Sequence, residues 1–221
     1  MGAGMEGWNN GGAPSALERF VRRTTPAAES PEQCELCSEP IPRQHRHLLE
    51  VATREMQCVC QACSILFGSE AASVGKSRLI PDRRLFLEDF QMSDRQWEEM
   101  RIPVGMAFLF HNTPAGQVTA FYPSPAGATE SLLALDAWTE LERSSPALQG
   151  MKPDVEALLI NRARGARQYY LVPIDECYRL VALIRTHWQG VSGGQAVWTE
   201  IAQFFEALKR RSKSVGSETK E

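Results

Sequence analysis

The residues with the clearest chemical potential are cysteines, because five of the six in the chain fall between positions 34 and 63. Four of them form two C-x-x-C pairs, Cys34 with Cys37 and Cys60 with Cys63. A pair with this spacing turns both sulfur atoms toward one point across a tight turn, so two pairs can close a tetrahedron around one cation. Zn²⁺ prefers that geometry and accepts thiolate ligands. The spacing therefore predicts a four-cysteine zinc site of the zinc-ribbon type.

Three other uses of paired cysteines compete with zinc. Disulfides need an oxidising compartment, and the N-terminal sequence lacks the basic and apolar segments of a secretory signal, which indicates a cytoplasmic protein. A thioredoxin-like centre needs a single C-x-x-C after a strand of a βαβ unit. A rubredoxin-like iron site uses the same four ligands, but its knuckles usually carry glycine where Ser38 and Ser64 stand here. Zinc is therefore the predicted metal, and iron is the alternative.

Three further ligand-type residues lie beside this motif: Cys58, His45 and His47. Cys58 precedes Cys60 by two positions, so a continuous strand would place both side chains on one face. Cys58 could be a fifth thiol near the metal, an alternative ligand or a small buried residue. The two histidines also share a strand face, where either could hydrogen-bond a ligand sulfur or lie at the surface. A buried position is favoured for Cys58, and all three residues are candidates for a supporting role at the metal site or for an alternative ligand.

The charge of the metal-binding region argues against nucleic acid as a partner. Between residues 30 and 77 the acids outnumber the bases by two. The acids are Glu32, Glu35, Glu39, Glu50, Glu55 and Glu70, and the bases are Arg43, Arg46, Arg54 and Lys76. Nucleic-acid affinity comes from neutralised phosphates and needs the opposite sign. A protein-binding or purely structural module is therefore favoured.

Composition and motifs indicate a globular protein without a recognisable catalytic site. The chain has 221 residues, of which 43% are hydrophobic and 23% are charged, and its net charge is −3. This length supports one good core with a small satellite module. No apolar run approaches the roughly 20 residues of a membrane span. Because the sequence contains no P-loop, dinucleotide fingerprint, nucleophile elbow or zincin motif, we predict a non-enzymatic protein with no catalytic residue.

The elements that must position the cysteines follow from the local pattern. A flexible glycine-rich arm comes first. The predicted elements after it are a short helix over 15–23, a knuckle at 34–37, a strand over 47–52, a turn at 53–55, a strand over 56–59 and a helix over 62–72. Knuckle, hairpin and helix in this order are the layout of a zinc-ribbon or treble-clef module. Metal binding would supply much of the folding energy of so small a unit.

The rest of the chain is predicted to be an α+β domain, in which an antiparallel sheet packs with several helices. Strands are expected at 84–87, 102–110, 117–122 and 168–172. Helices are expected at 94–100, 129–141, 153–164, 175–188 and 195–211. The predicted divisions are 1–30 for the flexible arm and short helix, 31–77 for the zinc-ribbon module, 78–212 for the α+β domain and 213–221 for a disordered tail.

Several segments together resemble a known group of proteins. They are CELCSEPIPRQHRHLLE, MQCVCQAC, IPVGMAFLFHN, PDVEALLINR and VPIDECYRLV. They resemble an uncharacterised bacterial family whose genes sit beside those of nickel–iron uptake hydrogenases, and the similarity extends from about residue 34 to residue 208. The resemblance implies a hydrogenase accessory or maturation role, with a hydrogenase subunit or maturation factor as protein partner. It supplies no site residues, so the metal ligands follow from their own spacing.

These observations predict a non-enzymatic zinc-binding accessory protein that assists nickel–iron hydrogenase assembly or function through protein–protein contacts. Two alternatives remain. The first is a rubredoxin-like electron-transfer protein with iron at the four cysteines, which would be coloured and reversibly reducible. The second is a zinc-ribbon protein associated with transcription, which would bind nucleic acid in a salt-sensitive way.

Overall fold

The computed structural model describes residues 32–69, 73–131, 135–190 and 192–216. The N-terminal arm and the helix predicted over 15–23 lie outside these residues. The described chain combines a three-stranded sheet, a seven-stranded sheet and several helices, which confirms the mixed α+β class. No helix in the described ranges is both long and apolar enough to cross a membrane.

The smaller sheet lies in the N-terminal region that carries the cysteine pairs, which we call the metal module. Its elements are β1 (Arg46–Glu50), β2 (Met56–Val59), α1 (Gln61–Phe67) and β3 (Ser77–Leu79). The strands are antiparallel in the order β2-β1-β3. The predicted hairpin is therefore present, and Arg54 closes its turn with a φ of 61°. The zinc-ribbon class of this module stays a prediction.

The larger sheet, which forms the body of the protein, has seven strands in the order β10-β4-β9-β8-β5-β6-β7. They are β4 (Leu85–Leu87), β5 (Met106–Asn112), β6 (Gln117–Ser124), β7 (Gly127–Ser131), β8 (Glu156–Asn161), β9 (Gln168–Pro173) and β10 (Lys213–Val215). Neighbouring strands are antiparallel except β10 and β4, which are parallel. The sheet is therefore mixed, with β9, β8 and β5 at its centre.

Helices cover both faces of the larger sheet. Alternate residues of a central strand point to opposite sides, so each central strand contributes to a core on either face. The helices are α2 (Asp94–Glu99), α3 (Leu135–Ser144), α4 (Pro146–Gln149), α5 (Ile174–His187) and α6 (Gly194–Arg211). In β5, Phe108 and Phe110 belong to the core formed with α5 and α6. Leu109 between them belongs to the second core, to which α3 and α4 contribute. The central strands are thus buried on both sides.

The same alternation in β1 packs the metal module against the body. Leu48 belongs to a small cluster with Cys34 and Cys63. Leu49, the next residue, belongs to the main core of the body. Both leucines are fully buried, at 0% exposure. One short strand therefore connects the cysteine region to the core.

A buried carboxylate adds a polar link between module and body. Asp154 is fully buried, and Arg78 and Arg54 from the module approach its carboxylate oxygens at 3.1 and 3.8 Å. Thr113 donates its backbone N–H and its hydroxyl to the same carboxylate at 2.9 and 2.7 Å. Because a buried charge is tolerated only when it is paired, removal of Asp154 would leave its partners uncompensated.

Two predicted helices are wrong. The segment 129–141 begins as a strand, since Thr129 lies in β7, and α3 starts only at Leu135. The segment 153–164 contains β8, whose six residues are all buried between β5 and β9. A strand covered on both faces is a continuous apolar run, and periodicity alone does not distinguish it from a buried helix.

The tail predicted to be disordered over 213–221 begins with a strand, and residues 217–221 lie outside the described part of the chain. Lys213 to Val215 form β10, which pairs in parallel with the edge of β4. A polar segment of three residues has no local strand signal, so its conformation follows from the open edge that it meets. Other predictions are confirmed. The helix expected at 94–100 is present as α2, which Ser93 caps in a capping box with Gln96. The helices α5 and α6 begin within one residue of their expected starts.

Candidate metal centre

Backbone hydrogen bonds shape the first knuckle around Cys34 and Cys37. The N–H of Ser38 donates to the carbonyl of Cys34 at 2.7 Å, and the N–H of Cys34 donates to the carbonyl of Glu39 at 2.8 Å. Ser38 has a φ of 62°, in the left-handed region that favours glycine. Ser38 therefore closes the turn at the position where a rubredoxin knuckle usually carries glycine.

Glu35 fastens this knuckle to the hairpin. Its N–H donates to the carbonyl of Cys58 at 2.9 Å. Its carboxylate accepts a hydrogen bond from the N–H of Cys58 in return. The knuckle is thus held beside β2 by a reciprocal pair of bonds, which fixes it near the second cysteine pair.

The second knuckle is the junction between β2 and α1. The strand ends at Val59, and Cys60 is the N-cap of the helix. The Cys60 sulfur accepts a hydrogen bond from the N–H of Cys63 at 3.4 Å. This contact turns the side chain of Cys60 back toward the first helical turn, where Cys63 lies. The helix start therefore brings the two sulfurs of the pair together.

All four predicted ligands converge. The sulfur atoms of Cys34, Cys37, Cys60 and Cys63 lie within 4.8 Å of one another. Cys37 Sγ and Cys60 Sγ are 3.7 Å apart, and a tetrahedron with zinc–sulfur bonds of about 2.3 Å has edges of about 3.8 Å. Cys34 and Cys63 are buried, Cys60 is half-buried and Cys37 is exposed. The group fits a metal ion at one side of the module.

The thiols of this group differ in acidity. Burial raises the pKa of Cys34, but backbone N–H donors from Cys60, Leu36 and Cys37 outweigh it and lower that pKa to about 6. Burial, followed by hydrogen bonds with the neighbouring sulfurs, raises the pKa of Cys63 to about 12. Negative charge on one sulfur thus opposes ionisation of its neighbours. A bound cation removes that conflict, because all four ligands can then be thiolates.

Cys58, His45 and His47 form a separate group. One ring nitrogen of each histidine and the Cys58 sulfur lie within 4.8 Å of one another. The cause is strand register, since His47 pairs directly with Cys58 across β1 and β2. The expected common face of Cys58 and Cys60 depended on a continuous strand, but the strand ends between them. Cys58 therefore groups with the histidines, and it is half-buried instead of fully buried.

The sequence profile of DUF5947, described as a family of unknown function, matches residues 33–212. The chain belongs to this family. No curated protein and no solved structure matches it. The resemblance to an uncharacterised family is thereby confirmed, and the hydrogenase association that it implied stays a prediction. The DUF5947 match covers both ligand groups and the body as far as the end of α6.

One polar residue of the second group was missed by sequence reasoning. From sequence, Asp175 is only the first residue of the helix expected over 175–188. In the structure its Oδ2 is 3.2 Å from Nδ1 of His47. The two residues lie 128 positions apart, and no local pattern connects them. Only the packing of α5 against the module brings Asp175 to the histidine.

Proposed function

We propose that this member of the DUF5947 family is a non-enzymatic zinc-binding accessory protein that acts through protein–protein contacts. The observation that carries the proposal is the convergence of four sulfur atoms within 4.8 Å of one another. Four thiolates complete the tetrahedral coordination of Zn²⁺ and leave no position for a substrate. The ion would therefore hold the two knuckles together and stabilise the metal module.

Exposed apolar side chains support a contact role for the same module. Among the described residues, the large hydrophobic side chains that are exposed all belong to it. They are Leu36 at 41%, Ile65 at 69%, Leu66 at 59%, Phe67 at 37% and Val74 at 82% exposure. Three of these are consecutive in α1, and exposed apolar surface of this kind marks interaction sites. We therefore assign α1 as the contact element for a protein partner.

The buried carboxylates support the absence of catalysis in the body. Glu156 and Glu176 are fully buried. Arg83 pairs with Glu156 at 2.6 Å, and Arg84 and Arg211 pair with Glu176 at 2.7 and 2.9 Å. Buried carboxylates with arginine partners stabilise or specify a fold. Each of these groups is therefore explained by structure, without a reaction.

Two arginines of the module are engaged in ways that disfavour nucleic acid as the partner. Arg46 pairs with Asp82, and Arg54 faces Asp154. Their charges are thus partly neutralised within the protein, in a module whose acids already outnumber its bases. Phosphate binding requires free positive charge. A titration with nucleic acid at low salt should be flat, and salt-sensitive binding would favour the transcription-associated alternative.

The exposed position of Cys37 is the observation that favours the iron alternative, since electron transfer benefits from a ligand near the surface. Metal analysis of the natively purified full-length protein separates the two. We expect a colourless protein whose tightly bound zinc, one ion per chain at the four cysteines, is retained in Cys58→Ser and lost in Cys37→Ser. A coloured sample with stoichiometric iron that is reduced and reoxidised reversibly would replace the zinc proposal with the rubredoxin-like one.

The hydrogenase partner is tested by deletion and by capture from a hydrogenase-expressing host. Deletion of the gene should impair hydrogenase activity or subunit processing. Tagged full-length protein should retain a hydrogenase subunit or maturation factor, and Ile65→Ser with Leu66→Ser should abolish that retention. Gln203→Ser, an exposed position on α6, is the matched control. Wild-type activity and processing after deletion would remove the hydrogenase role.

A further inference from the structure

We propose that His45, His47 and Cys58 form a second metal site, which takes a divalent first-row transition ion such as Zn²⁺ or Co²⁺. Their ligand atoms lie within 4.8 Å of one another. Imidazole and thiolate are ligands that these borderline cations share. Three protein ligands leave a fourth position open, as in metal sites that bind water or a substrate. The second site therefore differs in kind from the closed group of four cysteines and goes beyond the zinc role proposed for that group.

The hydrogen bonding of His45 leaves a ligand nitrogen without a partner. Its Nδ1 is 2.9 Å from the carbonyl oxygen of Pro42. A carbonyl only accepts, so Nδ1 carries the proton and Nε2 keeps its lone pair. Nε2 is buried with no hydrogen-bond partner, and the side chain is only 8% exposed. Buried polar atoms without a partner are rare, and a metal ion would satisfy this one.

His47 is held in the arrangement that metal-binding histidines commonly show. Its Nδ1 donates to Oδ2 of Asp175 at 3.2 Å. A carboxylate on one ring nitrogen fixes the tautomer and orients the other nitrogen toward a metal. Asp175 belongs to the first turn of α5, so the body of the protein orients a ligand in the module. Its second oxygen, Oδ1, is buried without a hydrogen-bond partner.

Local charge also favours a cation at this position. Two neutral imidazoles and one thiolate carry a single negative charge, so a divalent ion bound to them leaves a net charge of plus one. The Glu35 carboxylate accepts from the N–H of Cys58, and a Glu32 oxygen is 3.4 Å from Nδ1 of His45. Carboxylates so close to the ligands stabilise a bound dication. Both acids lie in the first knuckle or beside it, on the module itself.

The open coordination position determines what the site can do. An ion held by three ligands exchanges more readily than one enclosed by four thiolates, and it can bind one donor atom from another molecule. A cavity of about 510 Å³ on the module is lined by His45 and Cys60, among other residues. The cavity reaches one residue of each ligand group. A molecule that offers a donor atom to the metal therefore has a route from solvent to this part of the module.

The test starts from full-length protein loaded with one equivalent of Zn²⁺ per chain, which fills the closed four-cysteine group, folds the module and leaves the second group empty. Titration with Co²⁺ should add one further ion per chain, with a visible spectrum of mixed nitrogen and sulfur ligation. Cys58→Ser should remove the sulfur contribution, and His45→Gln should lower the affinity for this ion by at least about tenfold. His187→Gln is the matched control, because its Nδ1 is likewise bonded to a carbonyl, at 3.0 Å from Leu183.

Asp175→Asn tests the positioning role separately. This variant should weaken the added Co²⁺ by about 10- to 100-fold while the zinc at the four cysteines is retained. The proposal is overturned if the wild-type chain takes up no second ion, or if Cys58→Ser and His45→Gln bind Co²⁺ as the wild type does. Failure of the four-cysteine proposal would look different, because Cys37→Ser would then leave the tightly bound zinc in place.

Discussion

The two ligand groups lie in the same small metal module, yet they are assembled by different rules. The four cysteines come from two knuckles, each complete within four residues, and the hydrogen bonds that shape and join the knuckles stay within the module. The group of His45, His47 and Cys58 depends on strand register and on Asp175, which lies 128 positions from His47. The first group needs only its own module, and the second needs the body as well.

This difference matches the two roles proposed, a structural one for the four cysteines and an exchangeable one for the second group. A site that holds its module together needs ligands from that module alone. A site that senses or exchanges an ion benefits from contacts with the body, since a change at the ion then reaches the core. The contact between His47 and α5 supplies such a connection. Variants that affect one group and spare the other are the direct way to examine this division.

The largest effect is expected from the loss of a buried cysteine of the four-cysteine group. Cys34→Ser should abolish tight zinc binding and unfold the module, because structural zinc contributes roughly 10–16 kcal/mol of apparent binding free energy to small zinc domains. Zinc content and hydrogen exchange of β1 and β2 provide the measurement. Cys58→Ser is the control that should keep both. A folded, zinc-containing Cys34→Ser protein would show that the four sulfurs do not act as one site.

The next effect concerns the link between module and body. Asp154→Ala should destabilise the protein by about 3–5 kcal/mol, because it leaves Arg54 and Arg78 without their buried partner. Chemical denaturation measures this loss. Binding of Co²⁺ at the second group should weaken in the same variant, while zinc at the four cysteines persists.

The exposed ion pair of Arg95 and Glu99 supplies a control for that experiment. Arg95→Ala removes a partner at 2.9 Å whose side chain is 88% exposed. Exposed pairs contribute less than about 1 kcal/mol. If Asp154→Ala weakened the binding of Zn²⁺ at the four cysteines as much as the binding of Co²⁺ at the second group, the division between a self-contained group and one that depends on the body would be contradicted.

How far each group could be predicted from sequence follows from the same distinction. Cys34, Cys37, Cys60 and Cys63 were predicted together, because the spacing within each pair determines the geometry of a knuckle. Cys58 was placed beside Cys60 by strand alternation, but the strand ends at Val59, so that argument did not apply. The role of Asp175 had no sequence signal, because it arises only from tertiary packing.

The fold shows the same limit in β8. The run Glu156–Asn161 begins three positions after Pro153 and contains four apolar residues, which is compatible with the first turns of a helix. Hydrogen bonds to β5 and β9 on both sides make it a central strand instead. Amphipathic helices with one buried face, such as α5 and α6, were predicted correctly because their period is visible locally. A segment that is buried on every side is apolar nearly throughout, so its sequence shows no helical or strand periodicity.

A third cysteine environment sharpens the comparison of the two ligand groups. Cys177 is fully buried in α5, and burial, with Asp175 and Glu176 nearby, raises its pKa well above the usual range for a thiol. Its sulfur therefore stays protonated and enclosed at neutral pH. Alkylation in the native protein should be on the order of a hundredfold slower than in denaturant, since labelling requires local opening.

Mass spectrometry after chelation measures this protection against Cys37, which is exposed. Cys37 should be labelled quickly once the metal is removed, and Cys177 should remain unlabelled until the body unfolds. Rapid native labelling of Cys177 would show that α5 opens readily. In that case the orientation of His47 by Asp175 would be transient, and the second group would lose its dependence on a rigid body.

The smallest effects come from the two serines that follow the cysteine pairs. Ser38 has a φ of 62°, so Ser38→Gly should stabilise the metal-loaded protein by up to about 1 kcal/mol. Ser64 lies inside α1, where its hydroxyl donates to the carbonyl of Gln61 at 2.8 Å. Ser64→Gly should therefore destabilise by about 1 kcal/mol. Thermal unfolding of both zinc-loaded variants measures these two changes in stability, which should have opposite signs. Changes of the same sign would mean that the two knuckles share one backbone geometry.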